Sequence, residues 1–235
     1  MKILFLGDVA LNGIWSKVSK PVFDPKVIDL LSLHDFVLCN LECTIKSELG
    51  ENFKKIPRIF TYSEAISQLK KYNINFCNLS NNHIYDNLDD GIEQTVECLI
   101  ENKIRFSGIL DKKKLNRNIS ILSYVDKSTH PCLPNKENKL YPKIFNLERA
   151  INEIKIEKNN NRFVIVSLHW GKSFRLLPEY NQRLIARKIV DAGADFIWGH
   201  HPHIIQKYEF INNTPVLYSM GNTCFDDIED FNFYW

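Results

Sequence analysis

The chain has 235 residues, of which 44% are hydrophobic and 25% charged, and its 30 Lys and Arg residues are set against 28 Asp and Glu residues. These proportions are near the averages of globular domains, about 45–50% apolar and about 25% charged, which argues against a disordered, collagen-like or coiled-coil chain. A net charge of +2 is too close to balance for the basic surface of a nucleic-acid-binding domain, so we expect no nucleic acid partner.

The apolar runs and the cysteines indicate the compartment. The run from Phe163 to Leu168 has the length of a strand, and no run approaches the roughly 18–20 residues of a membrane span. The N-terminal run ends at Gly7-Asp8, short of the roughly 7–15 residues of a signal-peptide core. The six cysteines lack the spacing of zinc or redox motifs, as free buried thiols would. We therefore expect a cytoplasmic protein without a membrane span.

Short runs rich in β-branched and aromatic residues alternate with helical periodicities along the chain. The runs predict strands at residues 2–6, 36–39, 74–79, 163–168, 196–198 and 216–218, each followed by a polar loop. Apolar residues at helical spacing predict helices at residues 63–72, 88–102, 147–156 and 179–192. The stretch 109–142 is less regular. This alternation indicates an α/β fold, which we assign to a single domain over residues 1–235, with ligands bound beside the strand ends.

Side chains that can bind metal ions lie within a few residues of the predicted strand ends. They are Asp8, Glu42, Asn82, His83, His169, His201 and His203. Taken singly, each has a structural explanation: Asp8 could cap a helix, and His169 could be a hydrogen-bonded core residue. Taken together, residues from separate strand ends can converge on one edge of a sheet. Carboxylate, amide and imidazole ligands suit Zn, Mn or Fe, and the absence of nearby thiolates argues against a structural zinc site.

The spacing of His201-Pro202-His203 has a geometric meaning. Side chains at i and i+2 point the same way in extended backbone, and the residue before a proline favours that conformation. We therefore expect His201 and His203 to face one metal ion, or two neighbouring ions, and His200 to face elsewhere. Two divalent ions about 3.5–4 Å apart can activate water and hold the oxygens of a phosphoryl group, and Glu42 is the candidate bridging carboxylate.

Six motifs occur in the order found in the CapA family. They are Gly7-Asp8, Asn40-Leu41-Glu42, Asn81-Asn82-His83 with Asp86, His169-Trp170-Gly171, Gly199-His200-His201-Pro202-His203 and Tyr218-Ser219-Met220-Gly221-Asn222. Over residues 2 to about 226 the chain thus resembles this family, named for poly-γ-glutamate capsule synthesis, within the calcineurin-like metallophosphoesterase superfamily. The resemblance implies a four-layer αββα sandwich with a dinuclear metal centre at the strand ends.

The resemblance also implies a role for each motif residue. Asp8 and His203 would bind the first metal, Asn82, His169 and His201 the second, and Glu42 would bridge the two. His83 would assist the leaving group as an acid or stabilise the phosphoryl oxygens, oriented by Asp86.

The chain departs from the superfamily pattern in three places. The usual opening Asp-x-His is Asp8-Val9-Ala10, the bridging residue is a glutamate instead of an aspartate, and Asn81 stands where glycine is typical.

For substrate recognition we consider Arg58, within the basic stretch 54–58, together with Trp170, Lys172 and Arg175. An arginine can hold a phosphate or a carboxylate through two parallel hydrogen bonds. Each cation could equally be exposed without a ligand. The turn at Asn222 could touch the metal loops or be purely structural, and the aromatic residues 231–235 could pack on the body or mediate an oligomer.

These observations predict a metal-dependent phosphatase acting on a phosphorylated small molecule. A sugar or polyol phosphate, used in making a capsule or other surface polysaccharide, is the expected substrate. The alternative is a non-hydrolytic accessory protein of poly-γ-glutamate capsule assembly or export. Hydrolysis of an amide or a phosphodiester at the same centre also stays open.

Overall fold

The computed structural model describes residues 1–17, 23–110, 113–135, 138–160 and 162–226; the aromatic residues 231–235 lie outside these ranges. The described strands are β1 (Ile3–Val9), β2 (Phe36–Leu41), β3 (Thr44–Ile45), β4 (Phe60–Thr61), β5 (Ile74–Asn78), β6 (Arg105–Ser107), β7 (Ile119–Val125), β8 (Phe163–His169), β9 (Phe196–His200), β10 (Glu209–Ile211), β11 (Thr214–Leu217) and β12 (Asn222–Cys224). The described α-helices are α1 (Pro25–Ser32), α2 (Ser63–Gln68), α3 (Leu88–Glu101), α4 (Leu147–Asn159) and α5 (Tyr180–Asp191). No helix in these ranges is long and apolar enough to cross a membrane.

The strands form two five-stranded sheets and one small pair. The first sheet has the order β12-β1-β2-β5-β6, and the second has the order β10-β11-β9-β8-β7. Every pair of neighbours is parallel except β10 and β11. The strands β3 and β4 pair separately, also in parallel. Parallel strands connected through helices confirm the α/β prediction.

Alternating residues of each central strand reach two different cores, because successive side chains in a strand point to opposite faces. In β2, Val37 and Cys39 pack in a cluster with residues of α2 and α3, whereas Leu38 packs with residues of the second sheet. In β8, Val164 packs with residues of α4 and α5, and Ile165 packs with residues of the first sheet. One face of each sheet therefore contributes to a common apolar cluster.

That cluster is rich in aromatic side chains. The rings of Phe5 and Phe196 lie 4.6 Å apart, and those of Phe5 and Trp198 lie 5.4 Å apart. The indole N–H of Trp198 donates a 3.0 Å hydrogen bond to the carbonyl of Leu6 in the first sheet. Trp198 is fully buried, and full burial of a large apolar side chain stabilises a fold by about 1.5–3 kcal/mol. The two sheets are thus held at a fixed separation and register, which the site at their edges requires.

All six predicted strands and all four predicted helices form, with small changes in their bounds. The helix expected over residues 63–72 ends as α2 at Gln68 and continues as a 3-10 turn over Leu69–Tyr72. Asn73 then ends the turn with a φ of 57°. Asparagine tolerates this left-handed conformation better than most residues because its side chain can hydrogen-bond locally.

The structure adds β7, a central element, within the stretch that the sequence pattern left irregular. Its seven residues are all buried, including Ser120 and Ser123, which interrupt the apolar run. Ser120 Oγ donates to Glu157 Oε2 at 2.6 Å, and Ser123 Oγ lies 2.8 Å from Ser107 Oγ. Hydrogen-bonded hydroxyls can be buried without a large penalty. Polar residues satisfied by distant partners therefore concealed a buried strand.

Strand register lines up polar side chains at one edge of the molecule. Asp8 pairs with Asn222 on one side and with Asn40 on the other, and Asn40 pairs with Asn78. In the second sheet, His169 at the end of β8 pairs with His200 at the end of β9. Since these strands are parallel, their carboxyl ends meet at the same edge, as ligand sites in open α/β sheets require.

Replacing Gly199 by alanine should destabilise this edge. A Cβ atom at Gly199 would lie 2.0 Å from the carbonyl oxygen of Tyr218, so β9 and β11 could not keep their present separation. We expect the free energy of unfolding to fall by about 1–3 kcal/mol, the usual range of overpacking in a closely packed core. Chemical denaturation would measure the loss, and a change below about 1 kcal/mol would contradict this account of the close approach.

Candidate metal centre

The structure brings the seven predicted metal-capable residues together at the carboxyl edge of the two sheets. Those of the first sheet lie at the ends of β1, β2 and β5 or in the loops that follow, and those of the second sheet lie at the ends of β8 and β9. In the first sheet they are Asp8, Glu42, Asn82 and His83; in the second they are His169, His201 and His203. Six of the seven are buried, and His203 is partly buried.

Glu42 lies at the centre of the cluster. Its Oε1 is 3.5 Å from His169 Nε2, 3.9 Å from His203 Nε2 and 4.0 Å from His83 Nε2. The side chain is fully buried, and Oε1 has no hydrogen-bond partner in the described part of the chain. A buried carboxylate oxygen without a partner is costly. Imidazole nitrogen atoms gathered around this one carboxylate oxygen fit a divalent cation.

Two groups of three ligand atoms lie close enough to hold metal ions. Asp8, Glu42 and His169 form one group, and Glu42, His201 and His203 form the other, with the ligand atoms of each within 4.8 Å of one another. Both groups contain Glu42. The pairing of histidines differs from that implied by the family resemblance, in which His203 goes with Asp8 and His201 with His169.

The side chains concerned nevertheless lie close to one another; they are Asp8, His169, His201 and His203. His203 Nδ1 lies 3.7 Å from Asp8 Oδ2, and His201 Nδ1 lies 3.2 Å from His169 Nε2. Asn82 Oδ1 is 2.8 Å from the same His169 Nε2. The cluster is therefore compact, and its geometry is compatible with either division of the ligands.

The expectation of extended backbone at His201-Pro202-His203 is wrong. His201 has a φ of 97° and His203 a φ of 61°, so both lie in the left-handed region, which costs non-glycine residues roughly 1–3 kcal/mol each. The chain turns sharply after β9, and the amide of His201 donates to Asp8 Oδ2 at 3.3 Å. The two rings still lie 5.8 Å apart. Such strain is found at sites where the surrounding structure holds it in place.

The side chain of His200 contacts Asp8, one of the candidate metal ligands, instead of facing the centre of the cluster. Its ring is fully buried, and Nδ1 lies 3.0 Å from Asp8 Oδ1. On its other side the ring packs edge-on against Trp198 at 4.5 Å. His200 is therefore placed to orient the Asp8 carboxylate.

Asn40 is a hydrogen-bonding hub beneath the cluster. Its side-chain amide donates to Asp8 Oδ1 at 2.8 Å and to Glu42 Oε2 at 3.3 Å. Its side-chain oxygen, Oδ1, accepts a hydrogen bond from the side-chain amide of Asn78 at 2.9 Å. The Asn40 side chain is fully buried, so this network fixes both carboxylates. The motif Asn40-Leu41-Glu42 contains this residue, but the sequence alone predicted no role for Asn40.

His83 and Asp86 form a second hydrogen-bonded pair beside the cluster. His83 Nδ1 lies 2.5 Å from Asp86 Oδ2, which also accepts from the amide of Ile59 at 2.7 Å. The amide of His83 donates to Asn81 Oδ1 at 3.0 Å. The ring is thereby fixed with Nε2 towards Glu42 and Nδ1 against Asp86.

Burial and mutual repulsion shape the protonation of the cluster. Burial, with the charge of Asp8 second, raises the pKa of Glu42 well above its ordinary value. Burial also lowers the pKa of His169, and it lowers the pKa of His201 to about 3 with the charge of His203 second. Burial alone would raise the pKa of Asp8, but the hydrogen bond and charge of His200 hold it below its ordinary value. Neutral imidazoles are the form that binds metal, and a cation would relieve the penalty on Glu42.

The cluster opens into a cleft of about 710 Å³. Its described walls are formed by Lys54, Lys55, Ile56, Pro57, Asn82, His83, Thr129, His130, Cys132, Ser173, Phe174, His201, His203, Asn222, Phe225 and Asp226. The rings of Phe174 and Phe225 lie 6.0 Å and 5.0 Å from that of His203. The cleft is large enough for a substrate well beyond a bare phosphate and combines cationic, polar and apolar walls.

The four residues considered for substrate recognition do not appear among the described residues that line this cleft. Arg58 donates to Glu51 Oε2 at 2.7 Å and to the carbonyl of Lys55 at 3.0 Å. Trp170 is buried, and its indole N–H donates to the carbonyl of Tyr218 at 3.1 Å. Both side chains are occupied in holding the fold.

Lys172 and Arg175 lie on the exposed loop after β8. Lys172 Nζ is 2.9 Å from Glu179 Oε1, and Arg175 is exposed. The basic stretch 54–58 does reach the cleft, but through its first four residues and without Arg58. The turn at Asn222 touches the metal loops, because Asn222 Oδ1 lies 3.0 Å from His203 Nδ1.

Comparison with known proteins gives one family match and several relatives. The family model described as Bacterial capsule synthesis protein PGA_cap matches residues 2–227. The Capsule biosynthesis protein CapA of Bacillus anthracis is 29% identical in an alignment of 210 residues that covers 82% of this chain and 51% of that protein. The PGA biosynthesis protein CapA of Bacillus subtilis is 28% identical in an alignment that, with its gaps, is 249 residues long and covers 94% of this chain and 62% of that protein.

A more distant relative carries a different description. The "Probable polyglutamine synthesis accessory protein" of Mycobacterium tuberculosis is 24% identical in an alignment of 216 residues that covers 83% of this chain and 56% of that protein. The chain thus spans between about half and three fifths of the length of these curated relatives.

Proposed function

Because the chain belongs to the family of bacterial capsule synthesis proteins matched over residues 2–227, as its motifs indicate, we propose that it is a metal-dependent phosphoesterase with a dinuclear centre. The observation that carries the proposal is Glu42. It belongs to both groups of candidate ligands, and its Oε1 is buried without a hydrogen-bond partner in the described residues. A shared carboxylate is what two neighbouring cations require.

We assign the metal ligands as Asp8, Glu42, Asn82, His169, His201 and His203. Nitrogen and oxygen donors without thiolates suit Mn, Zn or Fe. Divalent ions held there would polarise a phosphoryl oxygen and lower the pKa of water, giving a nucleophile near neutral pH. The chain itself would orient the ligands, because Asn40 and His200 contact the carboxylate of Asp8.

His83 is the proposed general acid. Asp86 holds the ring at Nδ1, so the protonated ring would carry at Nε2 the proton given to the departing oxygen. Burial lowers the pKa of His83 and the charge of Asp86 opposes this, so Asp86 would favour the acid form. Because His83 also lines the cleft, a leaving group in the cleft could reach it. Proton transfer from a positioned imidazole accelerates such reactions by about 10²–10⁴-fold.

The proposed substrate is a phosphorylated small molecule, such as a sugar or polyol phosphate, used in making a capsule or surface polysaccharide. The cleft of about 710 Å³ can hold a molecule of that size, since ligand pockets commonly measure about 300–1,000 Å³. The biosynthetic context comes from the names of two relatives, which describe capsule and PGA biosynthesis proteins.

We further propose that the two sheets form the four-layer αββα sandwich of calcineurin-like metallophosphoesterases, as a single domain. The apolar cluster shared by both sheets supports this arrangement, as do the separate clusters that join α2 and α3 to one sheet and α4 and α5 to the other. A cytoplasmic location is proposed on the six cysteines, which are free thiols.

A purified sample supplied with Mn²⁺, Zn²⁺ or Fe²⁺ should hydrolyse p-nitrophenyl phosphate or members of a panel of sugar phosphates. His203→Ala should lower kcat/KM on the order of 10²-fold or more, because it removes a proposed ligand. His34→Ala is the matched control, since this partly buried imidazole does not line the cleft and its Nδ1 contacts the carbonyl of Leu30 at 2.9 Å. A lack of hydrolysis with every metal and every phosphoric ester would contradict the proposal.

The second candidate is a non-hydrolytic accessory protein of poly-γ-glutamate capsule assembly or export. It is favoured by the name of the mycobacterial relative, which describes an accessory protein. Co-purification with a ligase or a membrane partner, together with no metal bound after purification, would support this candidate over the phosphoesterase.

A further inference from the structure

Lys55 is a buried cation in the wall of the cleft. It lies in the loop between β3 and β4, and only 5% of the residue is exposed. Its Nζ donates to the carbonyl of Asn82 at 2.9 Å and to the carbonyl of His130 at 3.0 Å. Asn82 follows β5 of the first sheet, and His130 follows β7 of the second. One ammonium group therefore joins three loops at the mouth of the proposed centre.

In the described part of the chain, two acceptors contact this ammonium group. A lysine ammonium has three N–H donors, and the two carbonyls account for two of them. Both acceptors are neutral, and the charges of Asp86 and Glu42 act on Lys55 without a direct hydrogen bond to it among the described residues. Burying a charged group is costly unless it is fully bonded or paired. Because Lys55 lines the same cleft as His83 and His203, the remaining donor is available to a ligand there.

The loop does not depend on Lys55 alone for its position. The amide of Asn52 donates to the carbonyl of Asp86 at 2.8 Å, and the side chain of Asn52 donates to the carbonyl of Cys132 at 3.1 Å. The amide of Ile59 donates to Asp86 Oδ2 at 2.7 Å. Loop anchoring therefore does not require a buried charge at this position. An anion in the cleft would make use of that charge.

We propose that Lys55 is a substrate-binding residue, whose third N–H binds a non-bridging oxygen of the phosphoryl group in the cleft. A lysine binds phosphate as a compact point charge. The proposal rests on the proposed function for the identity of the anion. It adds a cation supplied by the chain itself, on the side of the cleft formed by the β3–β4 loop.

The test measures binding of inorganic phosphate to the metal-loaded protein by calorimetry, alongside KM and kcat for p-nitrophenyl phosphate. Lys55→Met should raise the Kd for phosphate about 10- to 100-fold, the effect of losing a hydrogen bond to a charged group. Lys55→Arg should recover a part of the affinity because it keeps the charge. Metal content, measured by elemental analysis, should not change in either variant.

Lys54→Met is the matched control, because it removes the same charge from the same cleft wall but from an exposed side chain. Its effect on the phosphate Kd should be less than about twofold, since solvent screens an exposed charge. If both substitutions raised the phosphate Kd equally, the effect would come from the loss of any positive charge near the cleft, and the proposal would be overturned. Loss of metal from Lys55→Met at saturating metal would also overturn it, because Lys55 would then act only by holding Asn82.

A second measurement covers the case in which Lys55→Met does not fold. In the unaltered protein with ¹⁵N-labelled lysine, phosphate should shift the Nζ resonance of Lys55, assigned from Lys55→Arg, and leave that of Lys54 in place. No shift at Lys55 overturns the proposal, as does an absence of phosphate binding by the parent. If phosphate binds through Lys55 but no ester is hydrolysed, the anion site stands and the phosphoesterase function fails.

Discussion

Glu42→Gln is expected to abolish divalent metal binding and to lower phosphoesterase activity by at least about 10³-fold. Glutamine has the same shape but lacks the charge, and both candidate ligand groups lose the same member. Removing a ligand from only one group, as in His201→Ala, should leave more residual metal. Elemental analysis of the dialysed proteins and kcat/KM under saturating metal would measure these effects, which correspond to about 4 kcal/mol of transition-state stabilisation.

Glu97→Gln is the control for the charge change itself, since Glu97 is exposed on α3, and it should behave as the parent. If Glu42→Gln retained two ions per chain, the shared-carboxylate interpretation would be wrong. Activity without metal would be equally inconsistent with it.

Although Glu42→Gln should reduce metal binding and activity, it should not reduce the stability of the metal-free protein. Because burial raises the pKa of Glu42 in the folded state, folding takes up a proton. The contribution of Glu42 is therefore complete below its unfolded pKa of about 4.3 and is lost as the pH rises through the raised folded value. Metal-free Glu42→Gln should be at least as stable as the metal-free parent at neutral pH, with a flatter decline above it. Denaturation in the presence of a chelator would measure both.

His83→Asn is expected to lower kcat by about 10²–10⁴-fold, the usual contribution of a general acid, while metal content stays unchanged. His83 belongs to neither candidate ligand group, yet it lines the cleft and is held by Asp86 at 2.5 Å. The loss should be largest for esters with poor leaving groups, since an alkoxide needs the proton more than a nitrophenolate does. Parallel assays on p-nitrophenyl phosphate and a sugar phosphate would show the difference.

His34→Asn, at a partly buried position that does not line the cleft, should leave all of these quantities unchanged. Asp86→Asn should reduce kcat by a smaller factor and also lower stability, because the amide of Ile59 loses a charged acceptor. Should His83→Asn lose its metal, or lose activity equally on both esters, the residue would be a ligand or a structural element instead of an acid.

Much of the fold could be predicted from local patterns. The strands from β1 to β11 that were predicted are apolar runs of β-branched and aromatic residues, and each is buried by sheet neighbours. The elements that were missed depend on partners elsewhere in the chain. The serines of β7 are satisfied by Glu157 and Ser107. The helix α1 begins at Pro25 behind Asp24, whose side chain accepts from the amide of Lys26, a capping signal that we did not use.

The candidate site was predictable in its residue types and only partly in its contacts. Metal-capable side chains after several strands had to meet once the sheet was parallel, so their convergence followed from the strand order. Which residues line the cleft could not be predicted in the same way. Trp170 is buried against Tyr218, with ring centroids 5.8 Å apart, and Lys55 is buried although lysine is mostly exposed in proteins. Neither burial can be inferred from neighbours in the sequence.

By itself, the sequence determined the α/β class, the family and the set of side chains at the strand ends, because these depend on local periodicity and on chain order. Only the tertiary structure decided that Glu42 is shared by both ligand groups, that His201 and His203 adopt left-handed backbone, and that Lys55 enters the cleft. The physical reason is that a side chain's direction and burial depend on contacts between the two sheets and their loops. Those contacts join residues that lie tens to hundreds of positions apart, where no local pattern records them.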